Sequence, residues 1–421
     1  MRSVDQLESE VRSYCRAFPV VFSRAQGACL FDDAGRRFID FLSGAGTLNY
    51  GHNNPRLVRG VIEYLQRDGI VHGLDLATTA KRRFMERFRD VILEPRGFSY
   101  TLQFTGPTGA NGVEAALKLA RKATRRRNVI AFSGGYHGLS AGALAVTANT
   151  FYRDEAYVNR TDVSFLPYDG YPGVDSLAYL REVLRDPGSG VDLPAAVILE
   201  SVQGEGGVNV ASTDWLRGVE AACREHGVLL IADEIQSGNG RTGTFFSFER
   251  AGLRPDLVIL SKSLSGIGLP MTLLLLKPEL DVWEPGEHSG TFRGNNLAFV
   301  AAADALAYWE DDTLATDVRR KGDRAGAALD RIAAACPGSA VRGVGLFRAL
   351  DLHDPALAVD VRAEAFARGL IVEICGARAT TIKLLPPLVI DDDVLDEGLA
   401  LLAESVSAAQ KKTVTHTIAS M

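Results

Sequence analysis

Lys262 and Asp233 each come after a short apolar run that is typical of a buried strand. Both residues would therefore lie near the carboxyl end of a strand, where the active sites of α/β proteins are commonly found. Residues 257–260 precede Lys262, and residues 228–232 precede Asp233. In open α/β sheets, ligands bind beyond the carboxyl ends of the strands. A lysine amine adds to carbonyl groups and moves protons, while a carboxylate pairs with a protonated ring nitrogen. A surface lysine and a capping aspartate would explain either residue alone. Together, at the ends of two apolar strands, they indicate one site.

This pair matches what pyridoxal 5'-phosphate chemistry requires. The lysine forms an imine with the cofactor aldehyde, and the aspartate keeps the pyridine nitrogen protonated so that the ring can accept electrons. A place for the phosphate is indicated by residues 105–111, where small residues precede a helix expected to begin near Val113. Free amide groups at a helix start attract an anion. Taken alone, such a run is also typical of an ordinary turn.

A third pattern is the aromatic pair Tyr136 and His137, which follows the apolar run 129–132 and two glycines. An aromatic ring exposed at a strand end could stack on a flat cofactor. A metal site is not expected at His137, because the seven histidines show no HxH or HExxH spacing. The five cysteines are scattered and form no CxxC pair, which argues against a disulfide framework.

The elements that would position these residues alternate between strand and helix. The predicted strands are 129–132, 196–200, 228–232 and 257–260, and the predicted helices are 113–122, 174–185 and 213–226. Nearly continuous apolar strands separated by helices indicate a mostly parallel sheet covered on both faces. After about residue 312 the pattern changes to a long helix over 317–335, mixed segments and a closing helix near 393–409. We therefore expect an α/β protein with a smaller α+β domain.

For 421 residues we expect a large domain over 55–310 and a small domain formed by segments 1–54 and 311–421. The net charge is −6, and the only basic cluster, residues 121–127, is typical of a helix C-terminus. Nucleic acid is therefore not an expected partner. No apolar run is long enough for a membrane span, and residues 1–5 lack the apolar core of a secretion signal. We expect a cytoplasmic enzyme without a membrane partner.

Four motifs in this order and spacing closely resemble the class III, or ω-amino-acid, aminotransferases. They are SGGYHG (133–138), ESVQGEGG (200–207), ADEIQSGNGRTG (232–243) and LSKS (260–263). The resemblance extends over nearly the whole chain. It implies the fold-type-I architecture of pyridoxal-phosphate enzymes, with a mostly parallel seven-stranded sheet in the large domain. It also implies a homo-oligomer, a dimer or larger, whose subunits share the active site.

The resemblance further implies a role for each matching residue. Lys262 would be the imine lysine and Asp233 the partner of the pyridine nitrogen. Tyr136 would stack on one face of the cofactor ring, Ile235 would pack on the opposite face, and Gln236 would lie near the phenolic oxygen. The amides of Gly109 and Ala110 would bind the phosphate, and Thr291 of the neighbouring subunit would also contact it.

Two departures from the family pattern concern the phosphate cup and the carboxylate anchor. Residues 108–112 read TGANG where many members read SGTEA, so one hydroxyl is missing. Lys383 stands where members commonly have an arginine, and lysine cannot make arginine's two-pronged contact. By resemblance, Glu205 would pair with Lys383 when no substrate carboxylate is present and release it when one arrives. The alternative is a solvated strand-end lysine and an ordinary loop carboxylate.

Further segments resemble the members of the class that act on diaminobutyrate: 7–14, 44–55, 68–75, 103–109 and 290–296. This implies amino transfer from L-glutamate to L-aspartate 4-semialdehyde, a reversible ping-pong reaction that gives L-2,4-diaminobutyrate and 2-oxoglutarate. Three alternatives stay open. The chain could be another ω-aminotransferase, acting on 4-aminobutyrate or acetylornithine; an isomerase similar to glutamate-1-semialdehyde aminomutase; or a non-catalytic binding protein of the same fold, which the presence of Lys262, Asp233 and Tyr136 together disfavours.

Overall fold

The computed structural model describes residues 6–154, 156 and 162–419. Residues 1–5, on which the expectation about a secretion signal rests, lie outside these ranges. The helices are α1 (Tyr14–Ala17), α2 (Pro55–Gln66), α3 (Thr79–Phe88), α4 (Gly109–Thr124), α5 (Ala141–Ala145), α6 (Ser176–Arg185), α7 (Thr213–Glu225), α8 (Asn296–Ala305), α9 (Thr313–Ala334), α10 (Pro355–Ala367) and α11 (Asp392–Ala419). Among the described residues, no helix is both long and apolar enough to cross a membrane.

The strands are β1 (Phe22–Gln26), β2 (Cys29–Asp32), β3 (Arg37–Asp40), β4 (Thr101–Phe104), β5 (Val129–Phe132), β6 (Val163–Leu166), β7 (Ala196–Leu199), β8 (Val202–Gln203), β9 (Asn209–Val210), β10 (Leu229–Asp233), β11 (Leu257–Leu260), β12 (Leu273–Leu276), β13 (Ala340–Val344), β14 (Phe347–Asp351), β15 (Leu370–Ile371), β16 (Glu373–Cys375) and β17 (Thr381–Leu384). Short 3-10 turns join several of them, among them Lys262–Ser265 and Thr291–Arg293.

Seven strands within the described ranges form the central sheet, in the order β4-β12-β11-β10-β7-β5-β6. Strand β12 runs antiparallel to both of its neighbours, and the other pairings are parallel. Strands β5, β7, β11 and β12 are buried at every position, which explains their continuous apolar sequence. The predicted mostly parallel, seven-stranded sheet is confirmed.

The start of α4 differs from the prediction in a way that matters for the site. The helix begins at Gly109, four residues before the predicted start near Val113. Thr108 is the N-cap, and its backbone amide donates to the Asn111 side chain at 3.1 Å. This contact stabilises a helical first turn although Gly109 has a low helix propensity. The first two helical residues are therefore Gly109 and Ala110.

Two smaller sheets lie outside the central one. The first has the order β1-β2-β3-β15, and the second has the order β13-β14-β17-β16. Because β15 pairs with β3 in parallel, strands from both ends of the chain share one sheet. A separate apolar cluster, including Phe41, Leu350, Val361 and Leu399, packs beside these sheets. The domain boundaries at residues 54 and 310 stay predictions.

Candidate active site

Lys262 and Asp233 lie at the carboxyl ends of two strands that are direct neighbours. Strands β10 and β11 pair in parallel, with Asp233 opposite Ile259. Lys262 opens the turn Lys262–Ser265 with φ +50°, a left-handed conformation that costs a non-glycine residue energy and is common at functional sites. Burial lowers the pKa of Lys262, and the nearby charge of Glu205 offsets only part of that effect. The sequence-based placement of both residues at one edge is confirmed.

His137 fixes the carboxylate of Asp233. Its Nδ1 lies 2.7 Å from Asp233 Oδ2, and both residues are only 3% exposed. The other oxygen, Oδ1, accepts a hydrogen bond from the Ile235 amide at 3.1 Å. Burial by itself would lower the pKa of His137, but the hydrogen bond and charge of Asp233 outweigh burial and raise it. The expected exposed aromatic pair is therefore wrong for His137, because its ring is buried against Asp233. Tyr136 is half-buried, and burial raises its pKa to about 12.

Gly109 and Ala110 open α4 beside Ile235. A Cβ at Gly109 would lie 2.8 Å from Cδ1 of Ile235, so a larger residue here would force the Ile235 side chain away from its packing against the helix start. The first amides of a helix have no partner in the preceding turn. In the described part of the chain, no acceptor contacts the amides of Gly109 and Ala110. The helix start is therefore ready to bind an anion.

Thr291 lies in the exposed turn Thr291–Arg293. The preceding residue, Gly290, approaches the Thr105 backbone, with its ideal Cβ position 3.6 Å from the carbonyl oxygen. A role for Thr291 toward the cofactor of a neighbouring subunit stays a prediction.

Lys383 and Glu205 form a buried ion pair. Lys383 Nζ lies 2.5 Å from Glu205 Oε1, and the Lys383 side chain is 0% exposed. Gln236 joins the pair, since its Nε2 donates to Glu205 Oε1 at 3.1 Å. Burial would lower the pKa of Lys383, but the charges of Glu205 and Glu373 outweigh it and raise the pKa well above its ordinary value. Burial would raise the pKa of Glu205, but Lys383 and Lys262 bring it down to about 2. A solvated strand-end lysine is therefore wrong.

Glu200, Glu373 and Tyr14 were not predicted as site residues, but all three lie in this region. Glu373 Oε2 is 3.1 Å from Lys383 Nζ, and Glu373 Oε1 accepts a hydrogen bond from the Tyr14 hydroxyl at 2.6 Å. Glu200 is buried, and its two carboxylate oxygens accept from the amides of Tyr136 at 2.9 Å and Gly204 at 3.0 Å. Burial raises the pKa of Glu200 to about 7. Glu200 could have been identified because, like Asp233, it ends an apolar strand. Glu373 carried no such signal, because its contact with Lys383 arises only from strand pairing.

A left-handed turn holds the amine of Lys262. Ser43, Gly44, Ala45 and Gly46 all have positive φ values, of 47°, 60°, 57° and 83°. The Ala45 carbonyl accepts hydrogen bonds from Lys262 Nζ and from Gln236 Nε2, both at 3.0 Å. The turn therefore connects the candidate catalytic lysine with the Glu205–Lys383 pair.

The strain of that turn is offset by a neighbouring carboxylate. Left-handed backbone is unfavourable for Ser43 and Ala45. Asp40 Oδ1 accepts from the amides of Leu42 and Ser43, both at 2.8 Å, and Asp40 Oδ2 lies 2.7 Å from His52 Nε2. These contacts stabilise the start of the turn that carries Ala45.

These residues fit pyridoxal 5'-phosphate. The unpartnered amides of Gly109 and Ala110 suit a phosphate. Asp233, held by His137, presents a fixed negative charge suited to a protonated ring nitrogen. The lowered pKa of Lys262 favours the neutral amine that attacks a carbonyl group.

Comparison with known proteins agrees with this geometry. The model of the family described as "Aminotransferase class-III" matches residues 12–406. A protein of Wolinella succinogenes named diaminobutyrate–2-oxoglutarate transaminase is 56% identical over 410 residues, 96% of each chain. A Bordetella parapertussis protein of the same name is 55% identical, covering 97% of this chain and 95% of its own.

Solved structures give the same result. The ornithine aminotransferase of Toxoplasma gondii is 28% identical, with a TM-score of 0.86 over 98% of this chain and 95% of its own. A second structure of that enzyme is described with partial occupancy of PLP at the active site. The chain therefore belongs to the class III aminotransferases and is a pyridoxal-phosphate-dependent enzyme.

Proposed function

We propose that the enzyme transfers the amino group of L-glutamate to L-aspartate 4-semialdehyde, giving L-2,4-diaminobutyrate and 2-oxoglutarate. The names of the relatives from Wolinella succinogenes and Bordetella parapertussis support this choice of substrates. The structural observation that carries the proposal is the buried Lys383–Glu205 pair, with Oε1 2.5 Å from Nζ. Such a pair suits an enzyme that must accept two different amines in one pocket.

The two amines differ at the reacting carbon. In glutamate this carbon also bears a carboxylate, whereas the terminal amine of diaminobutyrate has no carboxylate beside it. A cation placed for the first substrate would lose that carboxylate partner with the second, and leaving a buried cation short of a partner costs free energy. Glu205 removes that cost by pairing with Lys383 and moving away when a substrate carboxylate arrives. Glu205 is suited to move because its side chain is 21% exposed, whereas that of Lys383 is 0% exposed.

A cavity of about 490 Å³ beside the pair could hold the rest of the substrate. Its lining includes Tyr136, Tyr152, Arg153 and Glu205. Aromatic, cationic and anionic side chains together suit a small amino acid that carries both charges.

When bound, pyridoxal 5'-phosphate supplies an electron-accepting ring that stabilises negative charge on the substrate carbon. We propose that Gly109 and Ala110 bind its phosphate and that Asp233 keeps the proton on its ring nitrogen. Tyr136 and Ile235 would cover the two ring faces, and Gln236 would lie near the phenolic oxygen. Lys262 would bind the cofactor aldehyde and then, as a free amine, move the proton of the substrate α-carbon. The lowered pKa of Lys262 supports that last role, because a neutral amine can accept a proton.

We also propose a homo-oligomer, at least a dimer, in which Thr291 contacts the cofactor phosphate of the neighbouring subunit. The exposure of Thr291 and Phe292 supports this proposal, since Phe292 is 66% exposed within one chain. We retain the domain division at residues 54 and 310. A cytoplasmic location is supported by five cysteines that are all free thiols.

An amino-acceptor panel tests the proposed reaction, with glutamate as donor and purified holoenzyme. We expect the highest kcat/KM with aspartate 4-semialdehyde, above succinate semialdehyde and N-acetylglutamate semialdehyde. A preference for either of those would identify a 4-aminobutyrate or acetylornithine enzyme. Conversion of glutamate 1-semialdehyde without any 2-oxo acid would identify an isomerase and overturn the proposal.

A further inference from the structure

Glu373 is a second carboxylate on Lys383, and the strand pairing fixes it there. In the register of β16 and β17, Glu373 lies directly opposite Lys383. Glu373 Oε2 is 3.1 Å from Lys383 Nζ, and Glu373 Oε1 accepts a hydrogen bond from the Tyr14 hydroxyl at 2.6 Å. Glu373 is 8% exposed. Held by a strand and by Tyr14, it cannot leave Lys383 as a loop residue could.

The charges around Lys383 therefore depend on where Glu205 lies. With Glu205 in contact, one lysine faces two carboxylates, and these three groups sum to −1. With Glu205 displaced, Lys383 and Glu373 sum to zero. Arg362 of α10 also faces Glu373, but in the described ranges it is not within ion-pair distance of that carboxylate. All three groups act on Lys262, since the charges of Glu205, Lys383 and Glu373 each influence its pKa.

The two amines carry matching charges at their reacting ends. The reacting end of diaminobutyrate is an ammonium group alone, with a charge of +1. The reacting end of glutamate is an ammonium group with a carboxylate, and these sum to zero. With Glu205 in contact, the cluster charge of −1 complements the ammonium group of diaminobutyrate. With Glu205 displaced, the cluster charge of zero complements the reacting end of glutamate, whose charges also sum to zero. Without Glu373 both states would be more positive by one charge, which would favour the carboxylate-bearing amine.

We propose that Glu373 is a specificity-determining residue, whose fixed charge balances Lys383 so that the terminal amine of a diamino acid competes with glutamate. This inference rests on the proposed function, and it adds a role that the Glu205 movement alone does not provide. Glu373 acts through Lys383 and is not itself a catalytic residue.

Glu373→Gln tests the proposal because it removes the charge and keeps the shape. The first measurement is the Kd for glutarate, a dicarboxylate that cannot react, determined by calorimetry. We expect glutarate to bind about 10-fold more tightly to Glu373→Gln, because the variant removes a negative charge that repels a glutarate carboxylate at close range within the protein. The second measurement is kcat/KM for the two half-reactions. We expect a fall of about 10-fold with diaminobutyrate and no fall with glutamate.

Asp351→Asn is a matched control, because Asp351 is another buried carboxylate of the same sheet, paired with Arg342 at 3.0 Å. It should leave the ratio of the two half-reactions within about 2-fold of wild type, since Asp351 does not contact Lys383. If Glu373→Gln does not fold, Glu373→Met also removes the charge at similar length.

The outcomes separate this inference from the proposed function. A wild-type enzyme without activity toward diaminobutyrate would refute the proposed function. A wild-type enzyme active with both amines, together with a Glu373→Gln variant that loses both half-reactions equally and binds glutarate no more tightly, would overturn the role of Glu373. That second pattern is expected if Glu373 only supports the fold around Lys383.

Discussion

Replacement of Glu205 by glutamine is the sharpest test of the Lys383–Glu205 pair. Glu205→Gln keeps the shape of the side chain and its contact with Gln236, but it removes the charge 2.5 Å from Lys383 Nζ. The pair is buried on the lysine side, and Glu373 still neutralises Lys383 at 3.1 Å in the variant. We therefore expect Glu205→Gln to retain the fold. Lys383→Met is a poorer test, because it leaves two carboxylates without their cation and is expected to destabilise the fold.

The size of the effect follows from the contacts. A charge-assisted hydrogen bond in a protein contributes about 1.5–3 kcal/mol, or roughly 10- to 150-fold in a rate or binding constant. Because Glu373 remains on Lys383, we expect the lower end of that range. The kcat/KM of the diaminobutyrate half-reaction should fall about 10-fold. The glutamate half-reaction should not fall, because glutamate no longer has to displace a charged Glu205 from Lys383.

The assay is single-turnover stopped flow on each half-reaction, followed by the cofactor absorbance. Glu249→Gln is a suitable control, since it removes a carboxylate paired with Arg96 at 3.1 Å, on a different part of the surface. An equal loss with both amines in Glu205→Gln would refute the exchange of Glu205 for a substrate carboxylate, and Lys383 would then need another function.

Four further outcomes are expected. Asp233→Asn should lower kcat/KM by about 30- to 1000-fold, the equivalent of about 2–4 kcal/mol, and undiminished steady-state activity would mean that another group faces the ring. Lys262→Ala should leave no cofactor that borohydride can fix to the protein, as judged by mass spectrometry. Mixing that inactive variant with an inactive Thr291→Ala variant should restore some activity in hybrid dimers, and its complete absence would argue against a shared site. Burial raises the pKa of Glu234 to about 8, so the stability that its protonated form contributes is present below about pH 4.5 and is lost as the pH rises to about 8. Between pH 5 and 9 the free energy of unfolding of the wild type should therefore fall by up to about 4 kcal/mol more than that of Glu234→Gln. Urea titration at each pH measures this difference.

The sequence by itself was sufficient for four of the seven strands of the central sheet and for the placement of the main pair of the site. Strands β5 and β11 were predicted with their observed bounds, because a strand buried on both faces must be apolar throughout. Lys262 and Asp233 are polar residues that interrupt such runs at their ends, so their placement at one edge follows from the parallel arrangement. These features are local and leave a direct trace in residue order.

The tertiary structure decided the features that depend on contacts between distant segments. His137 was expected to be exposed, but its ring is buried against Asp233, 96 residues away in the chain. Glu373 meets Lys383 only because β16 and β17 pair in one register, and a shift by one residue would turn either side chain to the opposite face. Ala45 accepts from Lys262 only because a left-handed turn directs its carbonyl there. Strand register, burial and backbone direction arise from packing of the whole chain, and no short pattern of residue types encodes them.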